Sequence, residues 1–270
     1  MEHEVQYHIG FGKKDLGQSP PLIALISGDP DRARIIAQET QGTVLEKELS
    51  ENRGLNSYLA RLPNGRPFIS ATSGMGAPSL SIVINELYQV GVRVIIRVGT
   101  SGSIQSDVKM GSVVITRAAL CRQGAADDIA PKEYPAAANP FLTLALVNAA
   151  RELKTDWHIG ITASVDTFFE GQERAESSAN KNLLRHLHGV TEEYRALGIL
   201  NYEMESGTLF KMGSVYGFAA ACICGIIADR TQSEHPDHQA KERAVHDAIR
   251  VALRAAETFD KEYMQPRYWR

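Results

Sequence analysis

The sequence predicts a single α/β domain, residues 1–270, and three observations lead there. Apolar runs rich in Ile and Val alternate with helical patterns along the whole chain. Each run is bounded by Gly, Pro or Asp, which stop strands and start turns. No low-complexity linker divides the 270 residues, and no repeat of 20–50 residues recurs, so nothing marks a second folding unit. A chain of this length buries a substantial core without disulfide staples.

Taken in order, the runs near 21–27, 67–72, 93–98, 112–118, 158–165 and 219–227 read as buried strands. The first passes through Gly28-Asp29-Pro30-Asp31-Arg32 into a helical stretch at 33–38. A helix over 79–90 opens after Pro78, and one over 140–153 starts after Asn139, a good capping residue, with Pro140 at its first position. Residues 122–138, rich in Ala, Asp and Pro with little periodicity, are expected to form a surface loop. A helix over 204–216 stops at Gly217, and 240–262 forms a long amphipathic closing helix. Residues 264–270 read as a tail.

Composition narrows the function. Lys plus Arg number 29 and Asp plus Glu 32, a net charge of −3. The basic residues are scattered among acids, so there is no cationic stripe for nucleic acid or for an anionic membrane surface. Small-molecule chemistry is the better expectation. No run approaches the ~18 consecutive apolar residues of a membrane span, and the first twenty residues lack the apolar core of an export signal. The three cysteines are too few for a disulfide framework, Cys222 and Cys224 sit inside an apolar run, and a reducing, cytoplasmic location is expected. The eight histidines form no metal-ligand pattern, so no metal is assigned.

Several turns carry chemistry. Gly28 to Arg32 is a strand-to-helix turn offering free N–H groups, a positive helix end and a guanidinium fork to an anion, although Asp29 as cap and Pro30 behind it would also make an ordinary helix start. Ser73-Gly-Met-Gly-Ala-Pro-Ser79 lacks the third glycine of a dinucleotide fingerprint, and no ribose-binding acid follows at the required distance, which argues against a nicotinamide cofactor. Its glycines suit either an anion or sugar facing backbone amides, or close helix–strand packing. Arg97 interrupts a buried strand and needs a partner: an acid such as Glu86, or a bound phosphate, with Thr100 and the loop amides as further donors. Three anion-friendly turns at three strand ends converge on phosphate. Phe168, Gln172 and Arg174 supply a ring, an amide and a donor fork suited to a planar heterocycle with carbonyls; the alternative is a solvated loop. Glu205, beside an apolar stripe of Met204, Thr208, Met212 and Val215, would suit a ribose diol, while Glu203 could complement the helix dipole. Asp229 and Arg230 close the last strand, where functional loops often sit.

Four segments in this order and spacing, Gly28-Asp-Pro-Asp-Arg32, Arg97-Val-Gly-Thr-Ser-Gly102, Gly171-Gln-Glu-Arg174 and Asn201-Tyr-Glu-Met-Glu-Ser206, resemble the nucleoside phosphorylase family, and specifically its uridine-cleaving members. The resemblance runs from about residue 7 to 256. It implies a central mixed, twisted sheet with a barrel-like core flanked by helices, and a pentosyl transfer: reversible phosphorolysis of uridine to uracil and ribose 1-phosphate, in pyrimidine salvage and catabolism. It further implies that Gly28, Arg32, Arg97 and Thr100 hold phosphate, completed by Arg53 of a neighbouring subunit. Gln172 and Arg174 would read the uracil edge, with Phe168 stacking near base and ribose and Arg230 closing the base site. Met204 and Glu205 would grip the ribose hydroxyls, and His8, again from a neighbour, would reach the 5′-hydroxyl. Arg97, Glu205 and Arg174 would carry the catalytic load.

The implied partners are uridine, phosphate and further copies of the chain, as a homo-oligomer with shared sites, a hexamer by analogy. No cofactor is implied, since phosphate is a co-substrate. Some members hold a monovalent cation through a glutamate after the shared arginine; here Gly54 follows Arg53. Two other functions stay open: a purine nucleoside phosphorylase, because Asp229 stands where purine-specific relatives protonate the base, and a non-catalytic nucleoside-binding protein.

Overall fold

In a computed structural model, described for residues 5–38, 42–231 and 237–260, nine strands form one mixed sheet. The chain runs β1 (Ile23–Ser27), α1 (Pro30–Gln38), β2 (Val44–Ser50), β3 (Ser57–Arg61), β4 (Pro67–Thr72), α2 (Ala77–Gln89) and β5 (Val94–Ser103). It continues through β6 (Val113–Arg122), α3 (Gly124–Asp127), α4 (Pro140–Glu152), β7 (Trp157–Val165) and α5 (Val190–Ala196). Last come β8 (Ile199–Glu203), α6 (Ser206–Tyr216), β9 (Ala219–Asp229) and α7 (His238–Thr258). The strand order is β2-β3-β4-β1-β5-β8-β7-β6-β9, and β9 pairs back onto β5. Strands β5, β8, β7, β6 and β9 therefore close a barrel, and β1, β4, β3 and β2 extend from β5 as an open arm.

Strand β5 belongs to both parts, which explains its composition. It pairs in parallel with β1 on one edge and with β9 over ten positions on the other, and nearly all its residues are buried. A strand covered on both faces needs a continuous apolar run rather than alternation. The period of two still sorts its side chains. Val94, Ile96 and Val98 join a core with Ile23 and Leu25 of β1 and Ala221 and Ile223 of β9, under α1, α4 and α7. Ile95 joins the opposite core with Ala24, Ile26, Cys222 and Cys224, under α2 and α6. Arg97 shares the parity of Ile95, so it points toward α6, with Cys222 as its register partner on β9. The expectation that Cys222 and Cys224 are core residues holds, since both are fully buried.

The helix signals act as the sequence suggests. Asn139 accepts from Phe141 N (3.1 Å) and Leu142 N (3.0 Å) at the start of α4. Gly217 ends α6 in the left-handed region, φ 79°. Small residues let α7 lie close against β9: a Cβ added at Gly225 would stand 2.6 Å from the Ala244 carbonyl oxygen.

Some expectations need correction. Residues 122–138 are not simply a surface loop: they include α3, and Ala126, Ala130 and Ala136 are buried. The reason is α6, whose fully buried Lys211 donates through Nζ to the carbonyls of Pro131 (2.8 Å) and Ala130 (3.3 Å). Helix α6 begins at Ser206 rather than 204, and Val215 is exposed rather than part of a buried stripe. Strands β2, β3 and β8 and helix α5 have no counterpart in the sequence expectations. Strand β2 is an edge whose Glu and Lys side chains face water, so it lacks apolar contrast. The expected tail at 264–270 lies outside the described residues.

Gly225→Ala should lower the unfolding free energy by about 1–3 kcal/mol, because a methyl group forced against a packed helix backbone strains the core. Urea titration of both proteins measures the difference.

Candidate active site

At the carboxyl ends of β1, β4, β5, β7, β8 and β9 lies a cavity of about 570 Å³. It gathers Gly28, Arg32, Arg97, Thr100, Phe168, Gln172, Arg174, Met204 and Glu205 from segments up to 177 positions apart. Strand ends are where an α/β sheet opens its crevice, because the connecting turns splay to either side.

The deepest part is ionic. Arg97 is 5% exposed, donates through Nη2 to Glu205 Oε2, and places Nε 3.7 Å from Glu203 Oε2 and Nη1 3.7 Å from Cys224 Sγ. Strand β8 runs antiparallel to β5, with Gly102 opposite Tyr202 and Ser103 opposite Asn201, so the chain beyond Glu203 travels back toward Arg97. Glycine is required at 99: a Cβ there would lie within 2 Å of the guanidinium, at 1.7 Å from Nη1. Glu86, one of the two partners expected for Arg97, is engaged elsewhere. It accepts from the backbone N of Ile9 (2.8 Å) and of His8 (3.1 Å) and meets His8 Nδ1 at 2.6 Å. The reason is topological, since Glu86 projects from α2 toward the N-terminal segment.

Electrostatics in this pocket are strained in a useful direction. Burial acts to lower the Arg97 pKa, but Glu205, Cys224 and Glu203 override it and hold the guanidinium well above its ordinary value. Burial, helped by Glu203, pushes the Glu205 carboxyl up against the opposing pull of Arg97. Arg32, whose Nη1 donates to Ser27 Oγ (3.2 Å) and Val98 O (3.4 Å), is lowered by burial; Asp29 opposes that shift and Arg97 adds to it. Two guanidiniums thus sit close enough to repel, and the Nε of each is buried without a hydrogen-bond partner. An anion between them would relieve both.

The turns supply the rest. Gly28 packs on the glycine turn after β4, where a Cβ would lie 3.1 Å from the Gly74 carbonyl. The glycine turn meets the close-packing alternative, a Cβ at Gly74 falling 2.4 Å from Ser79 Oγ, while its Gly76 N–H, at φ 86°, donates to the protein's own Glu205 Oε1 at 2.7 Å. Asp29 Oδ1 accepts from Asp31 N (2.9 Å), the ordinary helix start that was the alternative there. Glu203 ends β8 rather than standing in the first turn of α6; from there it accepts from Ser206 N (3.0 Å) and Glu205 N (2.9 Å) at the start of the helix, and it also faces Arg97.

At the other end, Gln172 is 3% exposed and its Oε1 accepts from Arg174 Nε at 3.3 Å. The Arg174 guanidinium lies 4.4 Å from the Phe168 ring centre. These residues line the cavity, so the alternative of a solvated loop fails for Gln172 and Arg174. Arg230 stands behind them, over the Tyr202 ring at 5.0 Å, with its backbone N donating to Ser103 O at 2.9 Å. Asp229 does not line the cavity; its Oδ1 accepts from Thr231 N (2.8 Å) and Thr231 Oγ1 (2.6 Å).

His8 and Arg53 do not line this chain's cavity. They lie together elsewhere: Asn52 Nδ2 donates to the carbonyls of Tyr7 (3.0 Å) and His8 (2.9 Å), and Arg53 Nη2 donates to Tyr7 Oη (3.0 Å). Sequence reasoning missed Met75, Ser101 and Tyr202 as lining residues. All three were recoverable, because Met75, Ser101 and Tyr202 lie inside the 73–79, 97–102 and 201–206 segments singled out above.

Arg97→Met would leave Glu205 buried beside Glu203 without a cation, and should cost about 3–5 kcal/mol of stability at neutral pH. The Glu205 pKa then stands still further above its unfolded value, so stability is retained below that value and lost as pH rises through the folded one. Urea titrations across the acid-to-neutral range should show the deficit shrinking as pH falls.

The comparisons with known proteins agree with this geometry. Residues 22–261 match the family model described as the phosphorylase superfamily. The chain is 38% identical over 250 residues to a uridine phosphorylase of Escherichia coli, covering 93% of this chain and 96% of the relative. It is 32% identical over 268 residues to a uridine phosphorylase of Thermococcus kodakarensis, covering 99% and 93%, and 28% identical over 240 residues to a guanosine phosphorylase of Halorubrum lacusprofundi, covering 86% and 92%. With its match spanning most of the chain and its strand-end cavity combining paired arginines, a buried carboxylate and an amide–guanidinium pair, this chain belongs to the phosphorylase superfamily.

Proposed function

We propose that the protein catalyses the reversible phosphorolysis of uridine, releasing uracil and ribose 1-phosphate. The observation that carries this reading is the division of one cavity into a cationic end, a carboxylate middle and an amide–guanidinium end. In the reaction the C1′–N1 bond breaks and a C1′–O bond to phosphate forms. The sugar gains oxocarbenium character while the bonding electron pair enters the pyrimidine ring. Arg32, Arg97 and Thr100 would orient phosphate as nucleophile and counter-charge, which is positioning joined to electrostatic preorganisation. Glu205 and Met204 would hold the ribose. Gln172 and Arg174 would stabilise the uracil anion through its oxygens, so a dedicated general acid is not needed. Phosphate enters as co-substrate and no cofactor is required.

The pyrimidine reading is favoured by the Gln172–Arg174 pair and by the names of the most similar relatives. The purine reading rested on Asp229 standing near the base, and here Asp229 does not line the cavity, its Oδ1 turned to Thr231. A cytoplasmic setting is supported by three free thiols.

His8 and Arg53 would complete the site of a second copy, within a homo-oligomer that we take, by analogy with the family the sequence resembles, to be a hexamer. What supports this is their position: both lie outside their own chain's cavity yet next to each other.

Ultraviolet-monitored cleavage of uridine should require phosphate. Equal loss without phosphate would indicate a nucleosidase, inosine turnover above uridine turnover a purine enzyme, and thermal stabilisation by uridine without turnover a silent binder. Arg174→Ala should raise the apparent KM for uridine at least tenfold with a smaller effect on phosphate, and Arg32→Ala should do the reverse. Arg53→Ala and Arg174→Ala subunits, each impaired alone, should regain activity when co-expressed, because mixed oligomers contain sites with both arginines intact. Absence of such rescue in verified mixed oligomers would refute the shared site.

A further inference from the structure

We propose that Gln123, which does not line the cavity, is a positioning residue for Glu205: its buried carboxamide fixes the backbone on both sides of that carboxylate. The inference rests on the phosphorolysis reading, in which Glu205 faces the ribose hydroxyls.

Gln123 follows the last residue of β6 and is 1% exposed. Its Nε2 donates to the Met204 carbonyl at 2.5 Å, and its Oε1 accepts from both Thr208 N and Thr208 Oγ1 at 2.8 Å. The amide can face only this way, because a flipped group would set N–H against N–H and carbonyl against carbonyl. Three side chains serve the otherwise unpaired N–H groups at the start of α6: Glu203 for Ser206, Ser164 for Gly207 and Gln123 for Thr208. Of these, Gln123 alone also holds the carbonyl of the residue before Glu205. The one-residue linker between β8 and the cap is thereby pinned from both ends.

The surroundings are shaped for this contact. A Cβ at Gly207 would lie 3.0 Å from Gln123 Oε1 and 2.6 Å from Cys121 Sγ, so glycine is what lets the carboxamide reach the helix. Lys211, one turn beyond Gly207, ties the segment after Gln123 to the same helix through the carbonyls of Ala130 and Pro131. Gln123 makes no contact with Arg97, unlike Glu203, whose carboxylate lies 3.7 Å from it. Gln123 therefore acts on the reaction through the backbone it holds at Met204 and at Thr208, on either side of Glu205.

The test compares uridine with 2′-deoxyuridine. Purified oligomers of the wild type, Gln123→Met and Gln123→Glu are assayed with both nucleosides at saturating phosphate, alone and with Glu205→Gln, and each is checked by thermal unfolding. Gln123→Met should lower kcat/KM for uridine roughly ten- to hundredfold. The loss for 2′-deoxyuridine should be smaller, so the preference between the two narrows, and in the Glu205→Gln background little further loss should occur. Gln123→Glu keeps the acceptor for Thr208 but sets an oxygen against the Met204 carbonyl; it should show the same narrowing, and carries the comparison if Gln123→Met does not fold. Equal losses on both nucleosides, or a loss that adds fully to that of Glu205→Gln, would overturn the inference while leaving the functional reading intact. A wild type unable to phosphorolyse uridine would overturn both.

Discussion

A guanidinium placed inside a nine-stranded sheet dictates much of this molecule. Arg97 cannot be left alone in a low-dielectric interior, because an unpaired buried charge costs several kcal/mol. The fold answers with two carboxylates, Glu203 at the end of β8 and Glu205 in the turn after it, 106 and 108 residues downstream, brought back because β8 runs antiparallel to β5. Closing the barrel through β8 is therefore also what neutralises Arg97. Gly99 gives the guanidinium room, and the glycine turn after β4 supplies an amide to the far oxygen of Glu205.

That arrangement joins stability to function. The ion pair lies at the floor of the cavity, and Arg32 stands next to it with its own charge only partly met by Asp29. The region holds together as it is, yet it favours an added anion near the two arginines. In the proposed reaction it would also set the carboxylate that holds the sugar directly beside the cations that hold phosphate, the adjacency that a displacement at C1′ demands. The end we propose for the base is built differently: an amide and a guanidinium held by each other and by an aromatic face, suited to a neutral ring that becomes an anion.

Much of this was legible in the chain. Six strands and the main helices follow from apolar runs, capping residues and glycine stops, and the turns at Gly28, Gly99 and Gln172 were recognisable as chemical. Less legible were β2, whose charged edge gives no apolar contrast, and β8, five residues that read as the approach to a helix. Residues 122–138 looked like a loop because Lys211, the residue that organises them, lies 80 positions away. Gln123 was invisible for the same reason: nothing near it in sequence indicates that its carboxamide caps a distant helix.

The sequence by itself determined the α/β class, the residues able to carry charge at strand ends, and the family to which they belong, since these depend on local periodicity and motif spacing. The tertiary structure decided who pairs with whom. Arg97 had two expected partners, Glu86 or phosphate, and neither local pattern nor charge count could point to Glu205. Strand order settles such a choice, because only the antiparallel return of β8 carries that carboxylate to Arg97, while α2 carries Glu86 away to His8.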